Sequence, residues 1–171
     1  MKKIVIYKPG GYDRLVLEAH PVPRPGRDEI LVCTEASGVN YADIAVRWGL
    51  YESAKKYVGW PITPGFEYAG TVEAIGDGGG ARHKVGDKVF GITRFGAYST
   101  HVVVPSHQAF PINKLFSFNE AAGFPAVYMT AYHALFQNIV IRQGMSILVH
   151  SAAGGVGTAL LQLGRIAGCK K

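Results

Sequence analysis

Six residues near the C-terminal end, Ala152-Ala153-Gly154-Gly155-Val156-Gly157, have the types and spacing to hold a pyrophosphate. Against the pattern G-x-G-x-x-G, Gly154 and Gly157 stand at the second and third glycines and Ala152 at the first. The middle glycine lets backbone approach phosphate. The last permits close packing of strand and helix, and a following helix offers free N–H groups and a partial positive charge to an anion. Taken alone the motif is equally an ordinary strand-to-helix turn. Its flanks favour the dinucleotide reading: the apolar run SILVH (146–150) precedes it as a buried parallel strand, and TALLQLGRIAG (158–168) follows as an amphipathic helix. The residue that chooses between NAD and NADP lies roughly 20 positions beyond such a turn, so this sequence does not set the choice.

Metal and thiol chemistry are poorly provided for. Two cysteines, Cys33 and Cys169, cannot build a four-cysteine zinc site, and Cys33 sits in the apolar run ILVC as a reduced, buried thiol. The histidines at 20, 83, 101, 107, 133 and 150 form no i,i+4 pair, and each is read as structural or exposed. The charge of +6 comes from 18 Lys and Arg against 12 Asp and Glu, scattered without a run, which speaks against a nucleic-acid surface. No run of 18 apolar residues and no secretory signal occurs, so no membrane span is expected and a reducing, cytoplasmic setting is. Charged residues make up only 18% of the chain, below the roughly 25% usual for a soluble domain. Chance, or a surface meant to be covered by further protein, accounts for this equally well.

The elements that would position these residues alternate as short strands between Gly and Pro turns. KKIVIY (2–7), LVLEAH (15–20), EILVCTEASG (29–38), GFEYAGTVEAIG (65–76), the KVGDKVFGI turn and strands (84–92) and AYSTHVVVP (97–105) predict a compact β-barrel-like domain. Asn40 is a good helix N-cap with Asp43 three residues on, so YADIAVRW forms a short helix ending at Gly49. Residues 50–64 read as an aromatic-rich loop, and 77–80 as a flexible DGGG turn. Ser117 and Glu120 have capping-box spacing and open a helical region broken at Pro125.

The order GVNYAD (38–43), PGFEYAGTVEAIG (64–76), VGDKVFG (85–91), AAGFPAVYMTAYHAL (121–135) and ILVHSAAGGVG (147–157) resembles the zinc-free quinone oxidoreductase branch of the medium-chain dehydrogenase/reductase superfamily. The resemblance covers nearly the whole chain. It implies a mainly β GroES-like barrel over residues 1–120, carrying substrate and catalytic groups, and the first β-α unit of a truncated Rossmann (α/β) domain over 121–171. Substrate and nicotinamide meet between the two domains of such proteins. Zinc-dependent relatives place ligands where this sequence has Asn40, Phe66 and Ala126, none of which ligates zinc well.

Without a Lewis acid, alcohol oxidation loses the stabilisation of its alkoxide. Quinones and conjugated enones accept hydride with the charge delocalised on oxygen, where a hydrogen-bond donor or water suffices. The resemblance therefore implies an NADPH-dependent quinone or enone reductase, with NADH open as the donor. Asn40, Tyr41, Tyr51 and Thr130 are its candidate catalytic residues, and Ala152, Gly154, Gly155, Val156, Gly157 and again Thr130 its cofactor contacts. No metal site is expected. Tyr41 and Tyr51 are equally surface aromatics, Asn40 is also a cap, and Thr130 can bond its own backbone. Asp43 and Glu67 are expected to serve structure. An enoyl-thioester reductase of the same superfamily and a non-catalytic dinucleotide-binding or adaptor protein are the alternatives. The full-length form is expected to be a homodimer, and the chain as it stands to show little catalysis.

Overall fold

Two nine-residue strands make the centre of the first unit of the structure, a computed structural model that describes residues 1–78, 80 and 82–170. The expected turn at 77–80 includes Gly79, which lies outside the described residues, as do Ala81 and Lys171. The chain divides into two compact units, Met1–Gly123 and Phe124–Lys171.

In the first unit β1 (Lys2–Val5) and β2 (Val16–Ala19) form an antiparallel hairpin. β3 (Glu29–Ser37) and β4 (Glu67–Ile75) are the two long runs, joined by β5 (Lys88–Ile92), β6 (His101–Pro105) and β7 (Ala109–Pro111). The sheet order is β6-β3-β4-β5-β7, every neighbour antiparallel. These pairings run in a line and do not show a closed barrel. One face buries Ile30, Val32, Tyr68, Val72, Val89, Val102 and Val104. On another, Ala69 packs with Ala121 and Ala122 of α3 (Phe118–Ala122), small residues that let a helix lie close to a sheet. Gly70 is required at the β3–β4 crossing, because a Cβ there would fall 2.0 Å from the Cys33 carbonyl oxygen.

The helix expected after Asn40 is α1 (Tyr41–Arg47). The loop expected over 50–64 is not wholly a loop: α2 (Glu52–Tyr57) interrupts it, with Lys55 bonded to Glu52 at 2.8 Å. Its glycine- and proline-rich flanks mask a good helix-forming stretch, which folds by pressing Ala54 against Ile6, Val46 and Ile62. Ser117 and Glu120 close a reciprocal capping box at the start of α3.

In the second unit α4 (Pro125–Tyr132) begins on its proline, where the missing N–H costs nothing. A π-helical turn, His133–Gln137, extends it. α5 (Gly155–Ile166) packs on α4 and buries Ala159 completely. The strand expected at 146–150 is not formed. Only Ser146 makes a parallel bridge, to Lys170, and Leu148 is 85% exposed. A strand exists by pairing its N–H and C=O groups, and the described residues offer this segment one bridge only. A turn and the helix α5 follow this segment, but the strand of the expected β-α unit is not formed among the described residues.

Candidate functional site

The polar centre of the first unit is Asp43. The Asn40 backbone N–H donates to its Oδ2 at 2.8 Å, the Tyr98 hydroxyl to the same oxygen at 2.9 Å, and the Gly65 N–H to Oδ1 at 3.1 Å. The first of these is the carboxylate arm of the capping box at α1. Asp43 is buried, and that burial pushes its carboxyl above the usual value of 3.8, against the opposing pull of these three donors. Burial, with the Asp43 charge beside it, raises the Tyr98 phenol well above the ordinary tyrosine range. Asp43 thus braces the start of α1 against the two loops that carry Gly65 and Tyr98.

Asn40 turns its side chain elsewhere. Its Nδ2 donates to Oε1 of Glu67 at 2.7 Å, and Glu67 is only 1% exposed. Phe66, one residue earlier, joins Tyr51 and Phe95. The ring centroids lie 5.5 Å (Tyr51–Phe66), 6.3 Å (Tyr51–Phe95) and 5.3 Å (Phe66–Phe95) apart. Tyr41 opens α1 with 76% of its surface exposed, away from that cluster's buried contacts. So Asn40 is brought to Glu67, and Tyr51 to Phe66. Tyr98 and Phe95 were not foreseen; no local pattern ties them to residues 55 and 29 positions earlier.

In the second unit the turn at 152–157 leads into α5 through Gly154, whose extended backbone serves as N-cap. The Gly154 N–H closes onto the Ser151 carbonyl at 2.9 Å, and the Thr158 N–H onto that of Gly154 at 2.8 Å. Gly155, Val156 and Gly157 form the first turn, where helical N–H groups have no partner within the helix. Gly157 admits no side chain: a Cβ would stand 2.3 Å from the Ser151 oxygen and 2.7 Å from the Ala152 Cα. Gly154 is far less constrained, its nearest neighbour being Ser151 O at 3.3 Å. Ala152 is half-buried beneath this turn. Thr130, exposed on α4, donates its hydroxyl to the Ala126 carbonyl at 2.7 Å.

Residues 26–114 match the alcohol dehydrogenase GroES-like domain, more than half of the chain. The chain belongs to this family. Within it, the chain is a zinc-free, quinone oxidoreductase-like member of the medium-chain dehydrogenase/reductases. It is 44% identical over 158 residues to the mouse synaptic vesicle membrane protein VAT-1 homolog, covering 91% of this chain and 38% of that one. It is 36% identical over 172 residues to human quinone oxidoreductase, covering 99% of this chain and 51% of the relative. The solved quinone oxidoreductase of Escherichia coli in complex with NADPH superposes with a TM-score of 0.90 at 31% identity, over 99% of this chain and 51% of that one. The GroES-like chain therefore spans about two fifths to one half of the length of these relatives. No described helix is long and apolar enough to cross a membrane.

Proposed function

We propose that the protein containing this chain passes hydride from NADPH, or from NADH, to a quinone or conjugated enone without the help of a metal. The observation that carries this reading is what occupies positions 40, 66 and 126. Asn40 is an amide engaged with a buried acid, Phe66 a ring in an aromatic cluster, and Ala126 a methyl on α4. None of the three side chains could hold a cation for a nascent alkoxide, and an acceptor that spreads its own charge needs none.

The second unit fits a dinucleotide. Gly157 lets the turn close against its own backbone, where a Cβ would clash with Ser151 and Ala152, and the exposed residues Gly155 and Val156 stand at the positive end of a 12-residue helix. Ala152, Gly154, Gly155, Val156 and Gly157 would hold the pyrophosphate. When bound, the reduced cofactor supplies hydride from its nicotinamide. Thr130 keeps acceptor capacity on its oxygen while donating to Ala126. In the first unit Tyr51, Phe66 and Phe95 offer an apolar wall to a flat ring and exclude water from it. The Tyr51 hydroxyl donates a proton or hydrogen bond to the acceptor oxygen, with Tyr41 at the exposed start of α1 as a second donor. Asn40 holds its place through Glu67 and orients the loop that carries them. A homodimer in the cytoplasm is the proposed setting.

The test is oxidation of NADPH by the full-length protein with 1,4-naphthoquinone in the presence of EDTA. Turnover unchanged by the chelator supports the reading. Turnover that requires added zinc, or that occurs with an enoyl thioester alone, overturns it. The 44% identity to a protein named for vesicle membranes favours one second reading, a non-catalytic adaptor at a membrane surface. That reading expects NADPH binding with no acceptor turned over.

A further inference from the structure

Three side chains with metal-ligating atoms meet on the sheet, at residues the proposed hydride chemistry does not use. Cys33 on β3 stands directly opposite His101 on β6, so the two leave the same face side by side. Cys33 also pairs with Thr71 on β4, and Glu73 follows two residues later. The β3–β4 register skips Glu73: Val72 faces Val32 and Ala74 faces Leu31. Glu73 is therefore the extra residue of a bulge, a feature that re-aims a side chain. The Cys33 Sγ, one Glu73 oxygen and one His101 ring nitrogen all lie within 4.8 Å of one another, and His101 Nε2 is 3.0 Å from Glu73 Oε2. Among the described residues this is the one such grouping of three His, Cys, Asp or Glu side chains.

We propose that Cys33, His101 and Glu73 bind a zinc-class divalent cation that clips β6, β3 and β4 together and leaves its fourth position to water. The donor set is one sulfur, one nitrogen and one oxygen, which suits a borderline ion and not magnesium or calcium, whose ligands are oxygens. Tetrahedral zinc, with bonds of about 2.0–2.3 Å, needs its ligand atoms about 3.3–3.6 Å apart. The His101–Glu73 pair, at 3.0 Å, needs to open by about 0.3 Å, and the sulfur has at most about 1.5 Å to close. His101 is also set from behind: its Nδ1 lies 3.0 Å from the Thr100 hydroxyl, which itself accepts from the Lys2 N–H at 3.0 Å. Such an outer partner fixes the ring and leaves Nε2 as the ligating nitrogen.

The surroundings suit a dication. Burial, then the charges of Glu73 and Glu35, raise the Cys33 thiol above its ordinary value of 9.0. An ion there cancels the two carboxylate charges, and the thiol gives up its proton as the sulfur–metal bond forms. The same shift makes Cys33 a poor free nucleophile. The side chains of His101 and Glu73 are 18% and 47% exposed, so the ion has a way in from solvent. The ion sits on none of residues 40, 66 and 126, so it lends no Lewis acid to the proposed hydride transfer.

The test is titration of the 171-residue chain with cobalt(II), followed by competition with zinc. One equivalent should bind, with thiolate-to-cobalt charge transfer and the intense visible bands of a four-coordinate ion, and zinc should remove both. Cys33→Ser should abolish the charge-transfer band, while Cys169→Ser leaves it unchanged. His101→Gln and the exposed Glu73→Gln should each weaken binding at least about tenfold. At one zinc concentration the rise in melting temperature should be larger for the wild type than for Glu73→Gln. Persistence of the band in Cys33→Ser, no band in folded wild type, or wild-type affinity in Glu73→Gln overturns the proposal. Glu73→Gln decides the matter even if Cys33→Ser does not fold.

Discussion

The Asn40 carboxamide is held 2.7 Å from a Glu67 oxygen that the rest of the unit shields almost completely from solvent. A cap residue has thereby become a partner for a buried acid, and the link ties the start of α1 to the start of β4. Asn40→Ala should cost about 1–3 kcal/mol of unfolding free energy, the range for removing a hydrogen bond from a buried polar group. Asn40→Asp should cost more at neutral pH, because it sets a second carboxylate against Glu67, and should recover as acid protonates the pair. Urea unfolding at pH 7 and pH 5 checks both. An alanine variant as stable as wild type would mean that the contact contributes nothing.

Asp43 carries a pH signature of definite sign. Burial raises its folded-state value above the unfolded 3.8, although its three donors oppose this. Between those two values the folded chain holds a proton that the unfolded chain has lost. Unfolding free energy from this group therefore falls as pH rises from about 3.8 through the folded value, and is steady above it. The lowered carboxyls of Glu18 and Glu120 act with the opposite sign, losing stability as pH falls. The difference between wild type and Asp43→Asn isolates the first effect. Denaturant curves at half-unit steps from pH 3.5 to 6.5 should show the stability of wild type minus that of Asp43→Asn rising toward acid. A value that falls toward acid would put the folded-state value below 3.8.

Local geometry explains which parts of this arrangement were legible. Asn40–Asp43 and Ser117–Glu120 close over three residues, so spacing alone announces them. The run that became β4 declared itself by alternation, and the run that became β3 by its continuous apolar stretch Ile30–Val32. Glu67 as the partner of Asn40, 27 residues away, and Tyr98 as the partner of Asp43, 55 away, depend on how the sheet and its loops are laid together. The same holds for Cys33, Glu73 and His101, which come from three strands and a bulge. The segment 146–150 failed for the converse reason: its apolar run reads as a strand, but a strand needs a neighbour to bond. In α2, flanking Gly and Pro outweighed six residues that fold well once Ala54 is buried.

Tyr51 separates packing from chemistry. Its ring is engaged with Phe66 and Phe95, so Tyr51→Phe preserves the cluster and removes only the hydroxyl. Under the proposed role, kcat with naphthoquinone falls about a hundredfold, the lower range for losing a positioned proton donor. The melting temperature stays within error. Tyr51→Ala should lower both, since truncating a half-buried ring costs about 2–3 kcal/mol, somewhat less than the fully buried case. Wild-type turnover in Tyr51→Phe would leave the residue a packing role alone.

Thr130 poses the same question on α4, where its hydroxyl is spent on the Ala126 carbonyl. At this exposed position Thr130→Val should change stability by no more than about 0.5 kcal/mol. If the oxygen also receives a donor from the cofactor, NADPH binds more weakly and turnover drops, whereas Thr130→Ser retains both. Equal NADPH affinity in the valine and serine variants, read by fluorescence titration, would confine Thr130 to its backbone bond.

The glycine turn offers the sharpest contrast, because its members differ in what a methyl group would meet. A Cβ on Gly157 would overlap the Ser151 oxygen and the Ala152 backbone, atoms that cannot move without moving the turn. On Gly154 it would meet only Ser151 O at 3.3 Å, and on Gly155 only Val127 Cγ1 at 3.0 Å, the end of a side chain. Gly157→Ala should therefore destabilise the second unit by about 1–3 kcal/mol, as overpacking does, and weaken NADPH at least about tenfold. Gly155→Ala should leave stability nearly unchanged. It should weaken NADPH binding, because Gly155 is exposed where phosphate would approach. Isothermal titration with NADPH on both alanine variants, beside their melting temperatures, resolves the two effects. If Gly157→Ala binds NADPH as wild type does, the turn at 152–157 is a structural bend and the dinucleotide belongs elsewhere.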